Sequence, residues 1–377
     1  MIPLFAAYVA GRETDYVREC LDTGWLASGG QFNRRFAEEL SRFLGASHAV
    51  PCNSGTSALH VSLMLAGVGP DDRVLVSDLT FVATANPIRY LRAEPVLIDA
   101  HPTHWNVDVE LMADELKRRA DRGQRPAAVL PTHILGRACR LDPLLEAAQR
   151  FDVPVIEDAA EAFGATVDGR QAGTFGLAGC FSFNGNKQIT TGGGGLIATD
   201  DDGLARQADH IINQAKLPGP GYVHDQVGYN YRLSNVAAAI GLAQFEQLPE
   251  IVARKHRIAA RYRCLADLPG IALPYEEPGT VSSDWLTTIL IDEAQFGRSR
   301  DEMLGCLAER GVEARPIWTP LHKMPMYAHA ERVGGDIADQ LDAQGLSLPS
   351  FAGLSDEQQQ HIIHTIQSLY IRTGPPG

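Results

Sequence analysis

The sequence predicts an α/β fold, in which a mainly parallel sheet is covered by helices and followed by a smaller α+β lobe. Short apolar runs alternate with amphipathic helical stretches through the first half of the chain. Clusters of small and polar residues follow several of these runs, and a long helix after residue 250 leads into a segment of mixed strands and helices. At 377 residues the chain is also too long for one simple core, which favours two units.

The first predicted element is an amphipathic helix over residues 32–44. Its apolar residues recur at helical spacing, and Gly45 is a suitable stop. An apolar run then reaches Cys52, a polar turn covers residues 53–57, and a helix follows over 58–66. This order of strand, turn and helix is the unit from which parallel sheets are built.

The same unit repeats through the next part of the chain. Further strands are predicted at residues 74–76, 95–98, 128–130, 153–156 and 180–183. Helices are predicted between them at residues 81–90, 109–119 and 144–151. Together with the run before Cys52, these strands indicate a mainly parallel sheet of about six or seven strands.

The C-terminal part has a different pattern. An Ala-rich helix over residues 235–245 is apolar on more than one face, and a core helix or a subunit contact explains it equally well. A long helix over 251–265 then leads into a mixed lobe. Strands are predicted there at residues 286–291 and 312–317, and helices at 303–309 and 356–370. We expect a large domain over 1–250, a small α+β domain over 251–377, and a loose tail at 373–377.

Composition excludes several functional classes. Hydrophobic residues make up 45% of the chain and charged residues 21%, as in an ordered globular protein. No apolar run approaches the ~20 residues of a membrane span, and the N-terminus lacks an export signal, so we expect a cytoplasmic protein. A formal charge of −13 argues against nucleic acid as a partner. Six scattered cysteines without a CxxC pair indicate reduced core thiols rather than a zinc site or disulfides.

Three polar clusters stand directly after predicted strands, at residues 53–57, 157–161 and 184–187. In open α/β sheets, ligands bind at the carboxyl ends of the strands. We therefore expect these three loops to converge on one site.

Lys187 is the candidate for the chemistry at this site. Four glycines at 192–195 allow backbone to pass close to whatever the lysine holds, although a surface lysine beside a flexible loop is the simpler explanation. Asp158 ends another strand and could pair with a ring nitrogen, or could cap the helix that follows. A lysine combined with such a carboxylate suggests pyridoxal phosphate, which needs a lysine for its imine and a partner for its ring nitrogen.

A phosphate group would need hydrogen-bond donors nearby. Thr56 and Ser57 stand at a predicted helix start, where free backbone N–H groups and the helix dipole favour an anion. Ser182 could reach the same phosphate from the strand before Lys187. A helix cap explains Thr56 equally well, and a locally bonded strand residue explains Ser182.

Taken together, these motifs resemble the DegT family, the nucleotide-sugar aminotransferases of fold type I. The resemblance covers nearly the whole chain and rests on segments that occur in the family's order. They are residues 53–60 (NSGTSALH), 80–86 (TFVATAN), 157–162 (EDAAEA), 181–191 (FSFNGNKQITT), 228–235 (GYNYRLSN) and 315–322 (RPIWTPLH). The resemblance implies a large domain that binds pyridoxal phosphate on a mainly parallel seven-stranded sheet, plus a smaller α+β C-terminal domain.

The family also implies roles for individual residues. Lys187 would be the Schiff-base lysine and the acid/base that moves a proton between the substrate carbon and the cofactor. Asp158 would hold the ring nitrogen, and Phe81 would stack on the ring.

The remaining cofactor contacts implied by the family involve the phosphate. Thr56, Ser57 and Ser182 would bind it within one subunit, and Asn230 would reach it from the neighbouring subunit. The active site would therefore need a homodimer. The resemblance also implies L-glutamate as the amino donor.

Two positions depart from the family pattern. Glu161 stands where many members carry Gln beside the phenolic oxygen of the cofactor, and its carboxylate would repel a phenolate unless it is protonated or turned toward the imine. Gly193 replaces a common Glu, which removes a charge and adds backbone freedom. Members that act as sugar 3-dehydratases carry His at the lysine position, so Lys187 favours transamination. A dehydratase and a non-catalytic binding protein of the same fold are the alternatives.

The substrate class follows from the segments around the lysine. Residues 184–186 and 229–235 are similar to those of members that aminate C4 of a nucleotide-linked 4-keto-6-deoxy sugar, for surface polysaccharide or glycan biosynthesis. We favour a UDP-linked 2-acetamido sugar, with GDP-4-keto-6-deoxymannose, the precursor of perosamine, as the alternative. Asn186 and His322 are candidate substrate contacts, although His322 could equally be a satisfied histidine of the lobe.

Overall fold

The computed structural model describes residues 1–371, so the predicted tail at 373–377 lies outside the described residues. Its strands are, in chain order, β1 (His48–Cys52), β2 (Arg73–Ser77), β3 (Glu94–Ile98), β4 (Ala128–Leu130), β5 (Ile156–Asp158), β6 (Thr166–Val167), β7 (Arg170–Gln171), β8 (Ala178–Ser182), β9 (Gly195–Thr199), β10 (Ile271–Ala272), β11 (Thr280–Val281), β12 (Thr287–Ile291), β13 (Arg315–Pro316), β14 (Glu331–Val333) and β15 (Gly345–Leu348).

The helices alternate with these strands. The α-helices are α1 (Glu13–Thr23), α2 (Gln31–Leu44), α3 (Gly55–Leu65), α4 (Asn86–Tyr90), α5 (Val109–Asp121), α6 (Asp142–Phe151), α7 (Asp202–Ile212), α8 (Asn235–Glu246), α9 (Leu248–Tyr262), α10 (Glu293–Phe296), α11 (Arg300–Glu309), α12 (Ile337–Gln344) and α13 (Asp356–Leu369). Short 3₁₀ helices cover Val82–Thr84, Ile134–Gly136, Arg263–Asp267 and Leu321–Lys323.

The central sheet is mainly parallel, as predicted. Its two halves, of strand order β1-β9-β8-β5 and β4-β2-β3-β14, meet where Val129 bridges Val155 and Thr132 bridges Asp158. Strand β9 is antiparallel to both of its neighbours, β1 and β8, whereas the pairs within the other half are parallel. The predicted α/β fold class is confirmed, and β14 adds one further strand from the C-terminal segment.

Local sequence explains the elements around the site. In α2 the apolar residues at helical spacing, Phe32, Phe36 and Leu40, are all buried, and Gly45 ends the helix with φ +69°. Helix α3 begins after Ser54, whose hydroxyl accepts the N–H of Ser57. The Ala-rich helix α8 packs against α1 and α2, as a core helix would, and the alternative of a subunit contact stays a prediction.

The C-terminal lobe is an antiparallel sheet packed on helices. Its strand order is β10-β12-β15-β13, and its own hydrophobic core includes Tyr262, Ile289 and Ile366. Strand β11 instead extends the small hairpin of β6 and β7. The expected domain boundary at residue 250 falls inside α9 and stays a prediction.

Several predicted elements differ from those observed. The helix expected at 81–90 is a 3₁₀ turn followed by α4, because Pro87 favours a new helix start at that point. The strand expected at 153–156 pairs regularly only from Ile156, since Pro154 has no N–H to donate to a ladder. The strand expected at 312–317 is reduced to β13, and Val312 bridges Ile2 instead.

The predicted core position is confirmed for four of the six cysteines. Cys20, Cys52, Cys139 and Cys180 are buried, but Cys264 is exposed and Cys306 is half-buried. Across residues 1–371, no helix combines the length and the apolar character needed to cross a membrane.

Candidate active site

A cavity of about 640 Å³ lies at the carboxyl ends of the central strands. The three polar clusters expected to converge do so, because residues from 53–56, 158–161 and 184–187 all line it. Leu4 and Phe5 near the N-terminus and the C-terminal segment 315–319 also line the cavity. A cavity that combines apolar side chains with a few polar groups is the usual form of a small-molecule site.

Asp158 is buried at the end of β5 and lines the cavity. Its Oδ2 accepts the Thr84 hydroxyl at 2.7 Å, and its Oδ1 accepts the backbone N–H of Ala160 at 3.0 Å. Burial raises the pKa of the Asp158 carboxyl, and these hydrogen bonds together with the charge of Lys187 partly oppose the rise. A cation placed in the cavity would therefore stabilise the charged form of this group.

Lys187 extends into the same cavity from the loop after β8. Its Nζ lies 3.7 Å from Oε1 of Glu161, and both side chains are largely buried, at 11% and 4% exposure. The other carboxylate oxygen of Glu161 accepts the backbone N–H of Leu135 at 2.8 Å. Burial raises the pKa of Glu161, while the charge of Lys187 lowers it. The Glu161 carboxylate therefore faces the lysine amine in this structure.

The start of α3 forms another side of the cavity. The first bond within this helix runs from the Ala58 N–H to the Ser54 carbonyl, so the N–H groups of Gly55 and Thr56 precede it. The chain packs tightly here, because a Cβ on Gly195 would lie 2.4 Å from the Ser54 carbonyl carbon. Ser182 faces the same region and lines the cavity.

Ser57 is placed differently from the other expected phosphate ligands. Its hydroxyl donates to Oδ1 of Asn53 at 2.6 Å and contacts the hydroxyl of Ser54 at 2.8 Å. Its side chain is buried behind the residues that line the cavity. In this rotamer Ser57 stabilises the helix start, which is the role the sequence suggested for Thr56.

Phe81 is an aromatic residue held at the cavity surface. Its side chain is 50% exposed, and its ring centroid lies 5.6 Å from that of Trp318, which lines the same wall. An exposed aromatic ring inside a cavity offers apolar area to a flat ligand.

The rim of the cavity contains the two positions singled out near Lys187. Asn186 lines it, with its Oδ1 accepting from Asn184 Nδ2 at 3.3 Å. Gly193 also lines it, and a Cβ built there meets none of the described residues within 4 Å. The missing side chain at Gly193 therefore leaves open space rather than a packing requirement.

Three residues contact this site without having been singled out in the sequence. Thr84 bonds Asp158, and Trp285 places its ring centroid 4.1 Å from Nζ of Lys187. Arg315 lines the mouth with a side chain that is 66% exposed and paired with Glu313 at 2.8 Å. Thr84 and Arg315 lie inside family-like segments, which is a usable signal, whereas nothing local marks Trp285.

Two expected residues lie away from the cavity of this chain. Asn230 is exposed and pairs with Asn213, and its carbonyl accepts from Asn53 at 3.3 Å. The ring of His322 is held between two carboxylates, with Nδ1 2.6 Å from Asp78 and Nε2 3.3 Å from Asp339. Because both ring nitrogens are engaged, the structure gives no support to His322 as a substrate contact.

Comparison with known proteins finds related sequences along nearly the whole chain. The profile of the DegT/DnrJ/EryC1/StrS aminotransferase family matches residues 8–367. EpsN of Bacillus subtilis is 38% identical over 376 residues, covering 98% of this chain and 96% of EpsN. A GDP-perosamine synthase of Caulobacter vibrioides is 39% identical over 372 residues, covering 98% of each chain.

A solved structure is similar over the same range. The aminotransferase TlmJ from Streptoalloteichus hindustanus is 30% identical and superposes with a TM-score of 0.90, covering 98% of each chain. Family, sequence relatives and fold therefore agree over nearly the whole chain. The chain belongs to the DegT/DnrJ/EryC1/StrS aminotransferase family and is a pyridoxal phosphate-dependent sugar aminotransferase.

Proposed function

We propose that this enzyme transfers the amino group of L-glutamate to the C4 keto carbon of a nucleotide-linked 4-keto-6-deoxy sugar. The observation that carries the proposal is the meeting of Lys187, Glu161 and Asp158 in one cavity. A lysine and a carboxylate partner for the ring nitrogen are the protein groups that pyridoxal phosphate chemistry needs, and Glu161 adds a carboxylate that faces the lysine. The cytoplasmic location expected from the sequence is part of this proposal.

The residues present fit pyridoxal phosphate. The buried carboxyl of Asp158 has a raised pKa, and a protonated ring nitrogen would supply the positive charge that favours its ionised form. The start of α3 offers N–H groups to a phosphate, and Thr56 and Ser182 add hydroxyl groups beside it. Phe81 offers its exposed face to the ring. When bound, the cofactor supplies an electron sink for the carbon that loses its proton.

The side chains around the cofactor would each have a separate role. Lys187 would hold the cofactor and would take up and return the proton of the substrate carbon, since its Nζ is an amine that reaches the cavity. Glu161 orients that amine through the 3.7 Å ion pair. Asp158 would hold the ring nitrogen, and Thr84 keeps the Asp158 carboxylate in place through its hydroxyl. The C-terminal segment 315–319 lines one side of the cavity.

A second subunit belongs to this proposal. Asn230 is exposed beside the start of α3, because its carbonyl accepts from Asn53, which lines the cavity. We propose that Asn230 reaches the phosphate in the partner of a homodimer. We expect the enzyme to be a dimer in solution. Asn230→Ala should reduce the affinity for the cofactor while the protein remains a dimer.

The nucleotide and sugar follow from weaker arguments. Residues 184–186 favour a UDP-linked 2-acetamido-4-keto-6-deoxyhexose. The named relatives favour GDP-4-keto-6-deoxymannose, because proteins 39%, 37% and 35% identical to this chain are called GDP-perosamine synthases. Arg315 at the mouth is available for a negatively charged group of either substrate. Either product would serve polysaccharide or glycan biosynthesis.

The test is a panel of UDP-, GDP- and dTDP-linked 4-keto-6-deoxy sugars incubated with glutamate and the loaded enzyme. Mass spectrometry and NMR of the products read nitrogen gain, position and stereochemistry. Gain of an amine at C4 supports the proposal and identifies the nucleotide. Amination at C3 contradicts the regiochemistry, and loss of water without nitrogen gain indicates a dehydratase.

A further inference from the structure

Trp285 contacts the turn before Lys187, a lysine on helix α9 and the amine of Lys187 itself. We propose that Trp285 is a positioning residue for Lys187, which fixes the amine in the cavity through its ring face and fixes the turn before the lysine through its indole N–H. The geometry concerns the lysine alone, whereas the effect on catalysis rests on the proposed function.

The indole N–H anchors the turn that carries the lysine. Trp285 is fully buried, and its Nε1 donates to the backbone carbonyl of Asn186 at 2.7 Å. The same turn is closed by the bond from the Lys187 N–H to the Asn184 carbonyl at 3.0 Å. The residue directly before the lysine is therefore bonded to a side chain from the C-terminal lobe.

The backbone of Trp285 is anchored from the opposite direction. Its carbonyl accepts from Nζ of Lys255 at 2.7 Å, and Lys255 is buried on α9. Burial lowers the pKa of Lys255 to about 7. Moving the Trp285 carbonyl would leave a buried amine without its acceptor, which is costly.

The residues just before Trp285 add to this rigidity. Asp284 has φ +49°, in the left-handed region that non-glycine residues rarely adopt. Its N–H donates to the Ser282 hydroxyl at 2.9 Å, and the N–H of Ser283 donates to the Gly136 carbonyl at 2.8 Å. A strained conformation of this kind persists only where its surroundings hold it, and these two hydrogen bonds restrain the backbone just before Trp285.

The ring face then meets the reactive amine. Nζ of Lys187 lies 4.1 Å from the ring centroid and 3.7 Å from Glu161. A cation near the face of an indole is attracted by the ring quadrupole, and the attraction grows when water is excluded. The amine is thus held between an aromatic face and a carboxylate.

Other aromatic residues keep the indole in place. Phe5 stacks on it with centroids 5.9 Å apart and an interplanar angle of 19°, and Trp318 does so at 6.1 Å and 23°. Trp318 in turn contacts Phe81 at 5.6 Å. The row from Phe5 to Phe81 therefore links the N-terminal arm, the lysine and the ring-stacking residue.

The test measures the reactivity of Lys187 in the full chain freed of cofactor. A limiting amount of an amine-reactive succinimidyl ester is added at fixed pH, and the Lys187 peptide is quantified by mass spectrometry. In Trp285→Leu we expect labelling about fivefold faster, because the ring that holds the amine is gone. Labelling at the wild-type rate in a folded variant would overturn the proposal.

Two further variants keep the result interpretable. Trp285→Phe keeps an aromatic face but loses the bond to Asn186, and labelling about twofold faster is expected. Trp105→Phe is the matched control, because Trp105 is also buried, at 2%, in the segment between β3 and α5. If Trp285→Leu fails to fold, equal labelling of the Phe variant and this control overturns the proposal.

Kinetics separate this inference from the proposed function. In the loaded enzyme we expect Trp285→Phe to lower kcat about tenfold while KM for the amino donor changes less than twofold, because a displaced lysine affects chemistry rather than binding. Faster labelling in an enzyme that transfers no amino group would overturn the proposed function and leave the positioning role intact. Unchanged labelling in an active enzyme would overturn the positioning role alone.

Discussion

Two lysines contact Trp285, and their surroundings differ. Lys255 is enclosed by protein and donates to a backbone carbonyl at 2.7 Å. Lys187 instead lines a cavity of about 640 Å³, where the described residues give its Nζ an ion pair at 3.7 Å and an aromatic face. One amine has a fixed hydrogen-bond acceptor, and the other has neighbours that orient it without using its hydrogen-bonding capacity.

The difference teaches how to separate a structural lysine from a functional one. A buried polar group that is bonded within the protein has a complete environment and serves the fold. A polar group that is oriented yet faces open volume has an incomplete environment, which a ligand can complete. Lys187 belongs to the second class, whereas Lys255 and His322 belong to the first. Asp158 lines the same cavity as Lys187, although Thr84 and Ala160 already bond its two oxygens, so its environment is only partly open.

The largest expected effect tests Lys187 directly. Lys187→Ala should lose the absorbance band that the cofactor gives near the edge of the visible range, and activity should fall by at least ~10³-fold. Spectra and glutamate turnover measure both effects. Lys117→Ala, at an exposed lysine on α5, is the control. A variant at position 187 that keeps the band would remove the basis of the comparison.

The next largest effect is expected at Asp158, the carboxylate that lines the same cavity. Asp158→Asn keeps the shape of the side chain but cannot carry the negative charge, so we expect kcat to fall by ~10²-fold or more while the fold is retained. Steady-state kinetics and circular dichroism provide the measurement. Asp142→Asn, at a 72% exposed carboxylate, is the matched control. Wild-type kcat in Asp158→Asn would show that the ring nitrogen has another partner.

The enclosed lysine should influence stability in a pH-dependent way. The pKa of Lys255 falls from its ordinary value of 10.5 to about 7 on burial. Between these pH values the unfolded chain binds the extra proton, so the free energy of unfolding should rise with pH, by up to about 1.4 kcal/mol per pH unit. Below pH 7 both states are protonated and this contribution stays constant.

Lys255→Met isolates that contribution. Denaturant unfolding of wild type and variant between pH 7 and pH 8.5 should give a steeper rise for the wild type, because the variant has no amine at this position. Wild type and variant contain the same buried thiols, whose pKa values burial raises, so the contribution of these thiols cancels in the comparison. Parallel curves would mean that Lys255 remains protonated in the fold.

The smallest effect on activity is expected at His322. Its ring is bonded to Asp78 and Asp339, so His322→Gln should change kcat/KM less than twofold, while the free energy of unfolding falls by about 1–3 kcal/mol. Kinetics and thermal unfolding measure the two effects. A tenfold loss of kcat/KM with unchanged stability would instead indicate that His322 contacts the substrate.

The sequence predicts the elements whose own pattern is strong. The strand at 95–98 and the helix at 356–370 agree closely with β3 and α13, because alternation and helical periodicity are clear there. Strand β9 was not predicted, because it begins in a run of glycines that suggests a turn. Strands β14 and β15 were not predicted either, because they are short and their pairing partners lie far away in the sequence.

The site residues likewise divide into those that the sequence predicts and those whose position depends on packing. Lys187 and Asp158 could be found because each follows a recognisable strand and because three loops must meet at one edge of the sheet. The orientation of Ser57 depends on its neighbours Asn53 and Ser54, and a rotamer leaves no trace in a sequence. Trp285 approaches Lys187 through the packing of two lobes, so no local pattern could have predicted that contact.

Strand β14 has a consequence for how the protein is made. It pairs in parallel with β3, whose other edge is occupied by β2. Until the ribosome has released residues 331–333, the nascent chain carries an unpaired edge at β3, and unpaired edges recruit strands from other chains. A chain shortened to residues 1–250 would keep that edge permanently and should aggregate. Residues 331–333 thus shield the edge of a strand that is synthesised much earlier.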